Sequence, residues 1–296
     1  MAKLIPPSTP FAGVQVSPEE AKYIVLGFPY DSTSTYRFGS RFAPQALRQA
    51  SLNIETYSLR TGLFLEELKI RDIGDLDVSS AGNPFEELKN LLSKLLEKGK
   101  IPIVLGGEHT LTYSAVKALP EDVAVIIFDA HLDLRNRYEG KTFSHTTYLR
   151  RLSEETSPER FLILGVRAVC AEELEYASKA GIKYLDMKAM RNLDVDRAAQ
   201  EVKSRLKDFS GVYVSFDMDV LDPSYAPAAS NPEPEGLTPT FALNLLQQLF
   251  SSFPRVLGFD LVEFSPSYDN GVTAILGAKI VFEALCLMEA ALGKQI

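Results

Sequence analysis

The sequence is poor in cysteine, in basic charge and in uninterrupted apolar stretches, and each shortage argues against a class of protein. Its 296 residues include two cysteines, Cys170 and Cys286. Two cannot make a disulfide framework, so both read as thiols in a reducing cytosol. The 31 basic side chains are outnumbered by 39 acidic ones, leaving a formal charge of -8. A sequence-independent nucleic-acid binder needs a basic footprint, so that class is disfavoured. The most apolar stretch, near the C-terminus, is broken by Lys279, Glu283 and Glu289, which disfavours a membrane span. No secretory leader, low-complexity tract, long linker or internal repeat is visible. The expectation is a cytoplasmic protein without membrane or nucleic-acid partners, folded as one domain over residues 1–296. An apolar content of 46% allows a large core.

Short apolar runs alternate with amphipathic helical patterns along the chain, which predicts a three-layer α/β fold with a mostly parallel sheet flanked by helices. Eight strands are expected: Tyr23–Phe28, Leu68–Ile73, Ile101–Leu105, Val123–Phe128, Phe161–Val166, Ile182–Leu185, Val212–Phe216 and Val256–Leu261. Asn83-Pro84 opens a helix that Gly99 ends, with Phe85, Leu88, Leu92, Leu95 and Leu96 as its apolar stripe. Thr238-Pro239 opens another, Ala171–Ala180 ends at Gly181, and a C-terminal helix follows Thr273.

Histidine is scarce as well, with three in the chain, and every one sits in a motif just beyond an expected strand or loop. His109 closes Gly106-Gly107-Glu108-His109, where the glycines permit a sharp turn. His131 is the centre of Asp129-Ala130-His131-Leu132-Asp133, and His145 follows in Ser144-His145-Thr146-Thr147. Asp217 and Asp219 alternate after the strand ending at Phe216, and Glu263 follows the one ending at Leu261. Ligand sites of open parallel sheets form outside the carboxyl ends of the strands, so these ends deliver candidates to one rim. Residues two apart in extended chain share a face, which lets Asp129, His131 and Asp133 converge, and Asp217 with Asp219.

Such a concentration of carboxylates must take up protons or recruit cations. Two like charges ~4 Å apart at an effective dielectric of ~20 repel by about 4 kcal/mol. Imidazole and carboxylate together suit hard divalent ions such as Mn²⁺. A pair of ions held by bridging carboxylates would turn a shared water into a nucleophile at neutral pH. Asp222-Pro223 fits a turn-ordering role rather than a ligand.

On these motifs the chain resembles the arginase/agmatinase (ureohydrolase) family, and its agmatinase branch most. Gly106–His109, Asp129–Asp133 and Ser215–Asp219 with Asp222-Pro223 match the family's metal motifs in order. Gly258–Glu263 and Phe38–Pro44 match further segments, and the likeness runs from about Tyr23 to the C-terminal helix. The resemblance implies an arginase-like fold. It implies two Mn²⁺ per subunit, with Co²⁺, Fe²⁺ or Zn²⁺ also accommodated. His109, Asp129, Asp133 and Asp217 would hold one ion, and His131, Asp129, Asp217 and Asp219 the other. It further implies that a bridging hydroxide attacks a guanidinium carbon, releasing urea and an amine. Asp133 would orient that hydroxide and pass a proton to the leaving nitrogen, Glu263 would bind the guanidinium, and His145 would relay protons near neutrality. A homo-oligomer, trimer or hexamer, is the expected assembly.

The expected substrate is a small cationic guanidine such as agmatine or aminopropylagmatine. Glu108 points to the agmatinase branch, and Glu139, Glu233 and Glu235 offer acids for a distal amine. Arg135 and Arg137 pull toward carboxylated substrates, as in formiminoglutamases; arginase and guanidinobutyrase activities are further alternatives. Two departures bear on this choice: Thr146 stands where agmatinases usually have glycine, and Ser230–Gly236 replaces a more glycine-rich segment. A non-catalytic, metal-stabilised binding subunit and a deacetylase-like single-zinc enzyme are the readings from other classes.

Overall fold

The computed structural model describes residues 2–293. In chain order the main elements are β1 (Leu4–Ile5), β2 (Tyr23–Phe28), α1 (Ala43–Ser51), β3 (Ile70–Leu76), α2 (Pro84–Glu97), β4 (Ile101–Gly106), α3 (Leu111–Ala118), β5 (Val123–Phe128) and α4 (Tyr148–Glu155). There follow β6 (Phe161–Val166), α5 (Ala171–Ala180), β7 (Lys183–Asp186), α6 (Met187–Met190), α7 (Val195–Arg205), β8 (Gly211–Asp217), α8 (Pro239–Ser252), β9 (Val256–Val262) and α9 (Val272–Gly293). All nine strands form one sheet in the order β1-β3-β2-β4-β9-β8-β5-β6-β7. Every pairing is parallel except that of β1 with β3.

Two apolar layers enclose the sheet. One packs residues of α1, α7, α8 and α9 on one face, and the other packs α2, α3, α4 and α5 on the opposite face. Strands β2, β5 and β6 are buried at every position, which is why their sequences are continuous apolar runs rather than alternating ones. Local signals set the helix ends. The Asn83 side-chain Oδ1 accepts from the Phe85 and Glu86 N–H groups at the start of α2, and Thr238 Oγ1 accepts from Phe241 N–H at the start of α8. Gly181 takes a left-handed φ of 74° to end α5. Among the described residues, no helix is long and apolar enough to cross a membrane.

The expected eight strands are joined by a ninth. β1 has two residues, paired Leu4 to Leu76 and Ile5 to Asp75, too few to carry any periodicity. The strand expected at Leu68–Ile73 begins instead at Ile70 and runs on to Leu76 to meet it. Gly74 permits this approach: a Cβ there would lie 2.0 Å from the Ile5 carbonyl oxygen.

The strand order explains how distant motifs meet. β8 and β9 come last in the chain yet lie between β4 and β5. The four central strands, β4-β9-β8-β5, therefore carry His109, Glu263, Asp217 with Asp219, and Asp129 with His131 and Asp133 past their carboxyl ends.

Candidate active site

Three aspartates divide their oxygens between holding the loops and facing the histidines. Asp129 Oδ1 accepts from His131 N–H at 2.6 Å, Asp217 Oδ1 from Asp219 N–H at 2.8 Å, and Asp219 Oδ1 from Ala130 N–H at 3.0 Å. The last bond ties the β8 and β5 ends together. Each Oδ2 is then free. Those of Asp129 and Asp217 lie 3.1 Å from His109 Nδ1, with Asp133 Oδ2 at 3.4 Å. Asp219 Oδ2 lies 3.0 Å from His131 Nδ1, with Asp129 Oδ1 at 3.5 Å. The result is two compact groups, His109/Asp129/Asp217 and Asp129/His131/Asp219, that share Asp129.

The environment of His109 tests whether these groups suit a metal. Its Nδ1 is buried without a hydrogen-bond partner, although carboxylates surround it. Its Nε2 lies 3.0 Å from Ser215 Oγ, and that hydroxyl donates to Asp260 Oδ1 at 2.6 Å. Ser215 has one proton, so it accepts from His109 Nε2–H, and Nδ1 faces the three carboxylates. Negative oxygens around that nitrogen call for positive charge between them, a proton on Nδ1 in the free protein or a metal ion in its place. A divalent ion fits this donor set. Asp260 is buried and also accepts from Tyr213 and Thr112 hydroxyls, which fixes Ser215 in turn. Partners behind a ligating imidazole typically account for 10–100-fold in metal affinity. Ser215→Ala is therefore expected to weaken divalent-ion binding by about that factor, measured by competition with a metal indicator. Unchanged affinity would mean that His109 orients itself.

Asp133 and Glu263 hold their side chains at the site through backbone that few such residues adopt, with φ of 53° and 62°. Glu263 Oε1 accepts from His109 N–H at 2.7 Å, while its Oε2 is buried without a partner. Burial and the neighbouring Glu108 push its carboxyl up to about 8. Burial and the Asp129 charge push Asp133 up to about 7. His145 moves the other way: burial, then His131 and His109, push it down to about 4. Burial and the two neighbouring imidazoles thus favour its neutral form.

These groups line one cavity of about 410 Å³, open to solvent. The cavity gathers His109, His131, Asp133, His145, Asp217, Asp219 and Glu263, while Asp129 lies behind its wall. Of the acids expected for a distal amine, Glu233 lines it, with Oε1 3.8 Å from His131 Nε2. Glu139 is exposed and outside the lining, and Glu235 faces outward to Arg191 at 3.4 Å. Arg135 lines the cavity, over the Tyr138 ring, whereas Arg137 does not. Asp222 accepts from Ser224 and Gly236 N–H groups and orders its turn. Gly107 serves close packing, since a Cβ would lie 2.0 Å from the Tyr30 carbonyl oxygen. Sequence reasoning gave no role to Ser215, Thr33 or Arg167. Arg167 spans the carbonyls of Asp219, Glu233 and Pro234, so it clamps the Glu233 loop to the rim; no spacing in the chain signals such a contact.

Fold and site together define a three-layer α/β protein whose carboxylate–histidine centre suits divalent ions. The chain belongs to the Arginase family, whose model matches residues 21–287. It is 37% identical over 273 residues to an agmatinase of Bacillus anthracis, covering 90% of this chain and 92% of that one. It is also 37% identical over 278 residues to an N(1)-aminopropylagmatine ureohydrolase of Thermococcus kodakarensis, covering 92% and 93%. The solved agmatine ureohydrolase of Thermoplasma volcanium superimposes with a TM-score of 0.89 at 37% identity, covering 97% of each chain. The protein is thus an agmatinase-like ureohydrolase of this family.

Proposed function

We propose that the protein hydrolyses the guanidinium group of agmatine, or of a related aminoalkyl guanidine, to urea and an amine that feeds polyamine synthesis. In this reading it works in the cytoplasm as a homo-oligomer with two Mn²⁺ per subunit. His109, Asp129, Asp133 and Asp217 would hold one ion, and His131, Asp129, Asp217 and Asp219 the other; Co²⁺, Fe²⁺ or Zn²⁺ suit the same donors. The observation that carries the proposal is the pair of buried, unpartnered polar atoms in one cavity, His109 Nδ1 and Glu263 Oε2. One is aimed at a metal and the other at a cation.

When bound, such an ion pair acidifies a shared water into a nucleophile at neutral pH. The protein's own groups do the rest. Glu263 Oε2 receives a guanidinium N–H and places the carbon of the group over the acidic cluster. Asp133 orients the attacking water and carries its proton to the departing nitrogen. His145 sits on the cavity wall as a neutral imidazole that can take a proton as products form.

Glu263→Gln keeps the acceptor for His109 N–H and removes the carboxylate charge that a bound guanidinium would stabilise. It is expected to lower kcat/KM by about 100-fold, roughly 3 kcal/mol, with metal content unchanged. Wild-type kcat/KM in that variant would remove Glu263 from substrate binding. The function itself is tested by urea release from manganese-loaded protein on agmatine, aminopropylagmatine, arginine and guanidinobutyrate, with formamide or ammonia release from formiminoglutamate. Agmatine or aminopropylagmatine should be turned over fastest. One observation favours a second reading: Arg135 lines the cavity with no carboxylate partner among the described residues. It suits a guanidino or formimino acid, and turnover of formiminoglutamate or guanidinobutyrate alone would reverse the ranking.

A further inference from the structure

Glu108 sits between the metal-facing His109 and the loop after β2, and its carboxylate never reaches the cavity. Its Oε2 accepts from Thr33 N–H at 2.7 Å. Its Oε1 accepts from the Thr33 hydroxyl at 2.7 Å and the Thr110 hydroxyl at 2.8 Å. The Thr33 hydroxyl is therefore committed as a donor to Glu108. Its Oγ1 also accepts from His145 N–H at 3.0 Å and lies 3.2 Å from His145 Nδ1. A hydroxyl has one proton and two lone pairs. With the proton on Glu108 and one lone pair on the His145 backbone, the remaining lone pair can meet Nδ1 only if Nδ1 carries hydrogen.

We infer that Thr33 is a positioning residue that sets the tautomer of His145, holding hydrogen on Nδ1 and leaving the Nε2 lone pair for the cavity. Glu108 determines the direction of the Thr33 hydroxyl, so the buried acid beside His109 acts on the imidazole through a single threonine. The resting His145 is then a proton acceptor at Nε2 rather than a donor. It can take a proton from the reacting groups, and cannot give one until it has done so. This inference rests on the proposed hydrolysis for its kinetic consequence, while the tautomer is a property of the free protein.

The test uses full-length ¹⁵N-histidine-labelled protein loaded with diamagnetic Zn²⁺, with His145→Asn assigning the resonance by its loss. Long-range ¹H–¹⁵N correlation should show hydrogen on Nδ1 and a bare Nε2 in the wild type. Thr33→Val keeps the backbone N–H and shape but cannot accept from Nδ1. It should shift His145 toward hydrogen on Nε2 and lower kcat for urea release at least tenfold with KM within twofold. Thr33→Ser should restore both readouts. A purely structural role would reduce the yield of folded protein without moving the tautomer. Hydrogen on Nε2 in the wild type, or wild-type tautomer and kcat in Thr33→Val, would overturn the inference. Should Thr33→Val not fold, the wild-type and Thr33→Ser spectra still decide it. Absence of urea from every guanidine, with Nδ1 protonated, would sink the proposed hydrolysis and leave the inference standing.

Discussion

Asp129→Asn is expected to disable both halves of the centre at once and to lower kcat by about a thousand-fold or more, roughly 4 kcal/mol of barrier. Asp129 is the one residue common to the two His/Asp groups, facing His109 with Oδ2 and His131 with Oδ1. Asparagine preserves size, and its carbonyl oxygen can still accept from His131 N–H, so the loop keeps its hydrogen bond. What disappears is a negative charge that two cations would share. Metal content measured by emission spectrometry should fall below two ions per chain. Asp222→Asn is the matched control, because that side chain serves its turn through Ser224 and Gly236. Turnover near wild type in Asp129→Asn would end the shared-ligand reading.

Metal uptake should be strongly pH-dependent, in the direction of tighter binding at higher pH. Without a metal, burial alone would lower the His109 imidazole, but Tyr148 and the carboxylates of Asp129, Asp133 and Asp217 raise it well above its usual value. His131 is likewise raised against burial by Asp219 and Asp129. Asp217 is raised by burial and its acidic neighbours. The direction of these shifts favours protonated imidazoles in the metal-free protein, and a metal needs the bare nitrogens. Each proton that must leave makes affinity rise about tenfold per pH unit below the pKa of that group. Affinity is therefore expected to rise between pH 6 and 8. Calorimetry in buffers of different ionisation enthalpy measures the protons released. Affinity that is flat over this range, with no proton release, would contradict the electrostatics of the site.

Much of this molecule is legible in its sequence because burial leaves a direct trace. β2, β5 and β6 lie inside on both faces, and their apolar runs have the bounds expected of them. β1 left no trace, since two residues at a sheet edge need no pattern. Residues of the centre could be listed because histidine is rare and its neighbours are acidic. The contacts that orient them could not. Ser215 meets His109 across 106 positions and Thr33 meets His145 across 112; a hydroxyl at such a separation looks like any other. The rim was the least legible part, as Glu139, Glu233 and Glu235 differ little in sequence. Only Glu233, in the loop that Arg167 clamps, lines the cavity.

The left-handed backbone of Asp133 and Glu263 has a consequence beyond geometry. Residues with a Cβ resist that conformation at about 1–3 kcal/mol each, so the surrounding fold must impose it. Glycine would relax there at once and supply neither carboxylate. Relieving that strain at these two positions would remove the proposed reaction's own carboxylates, so heat tolerance gained there would trade against speed, whereas Ala12, Glu139 and Glu235 share the conformation away from the metal-facing groups.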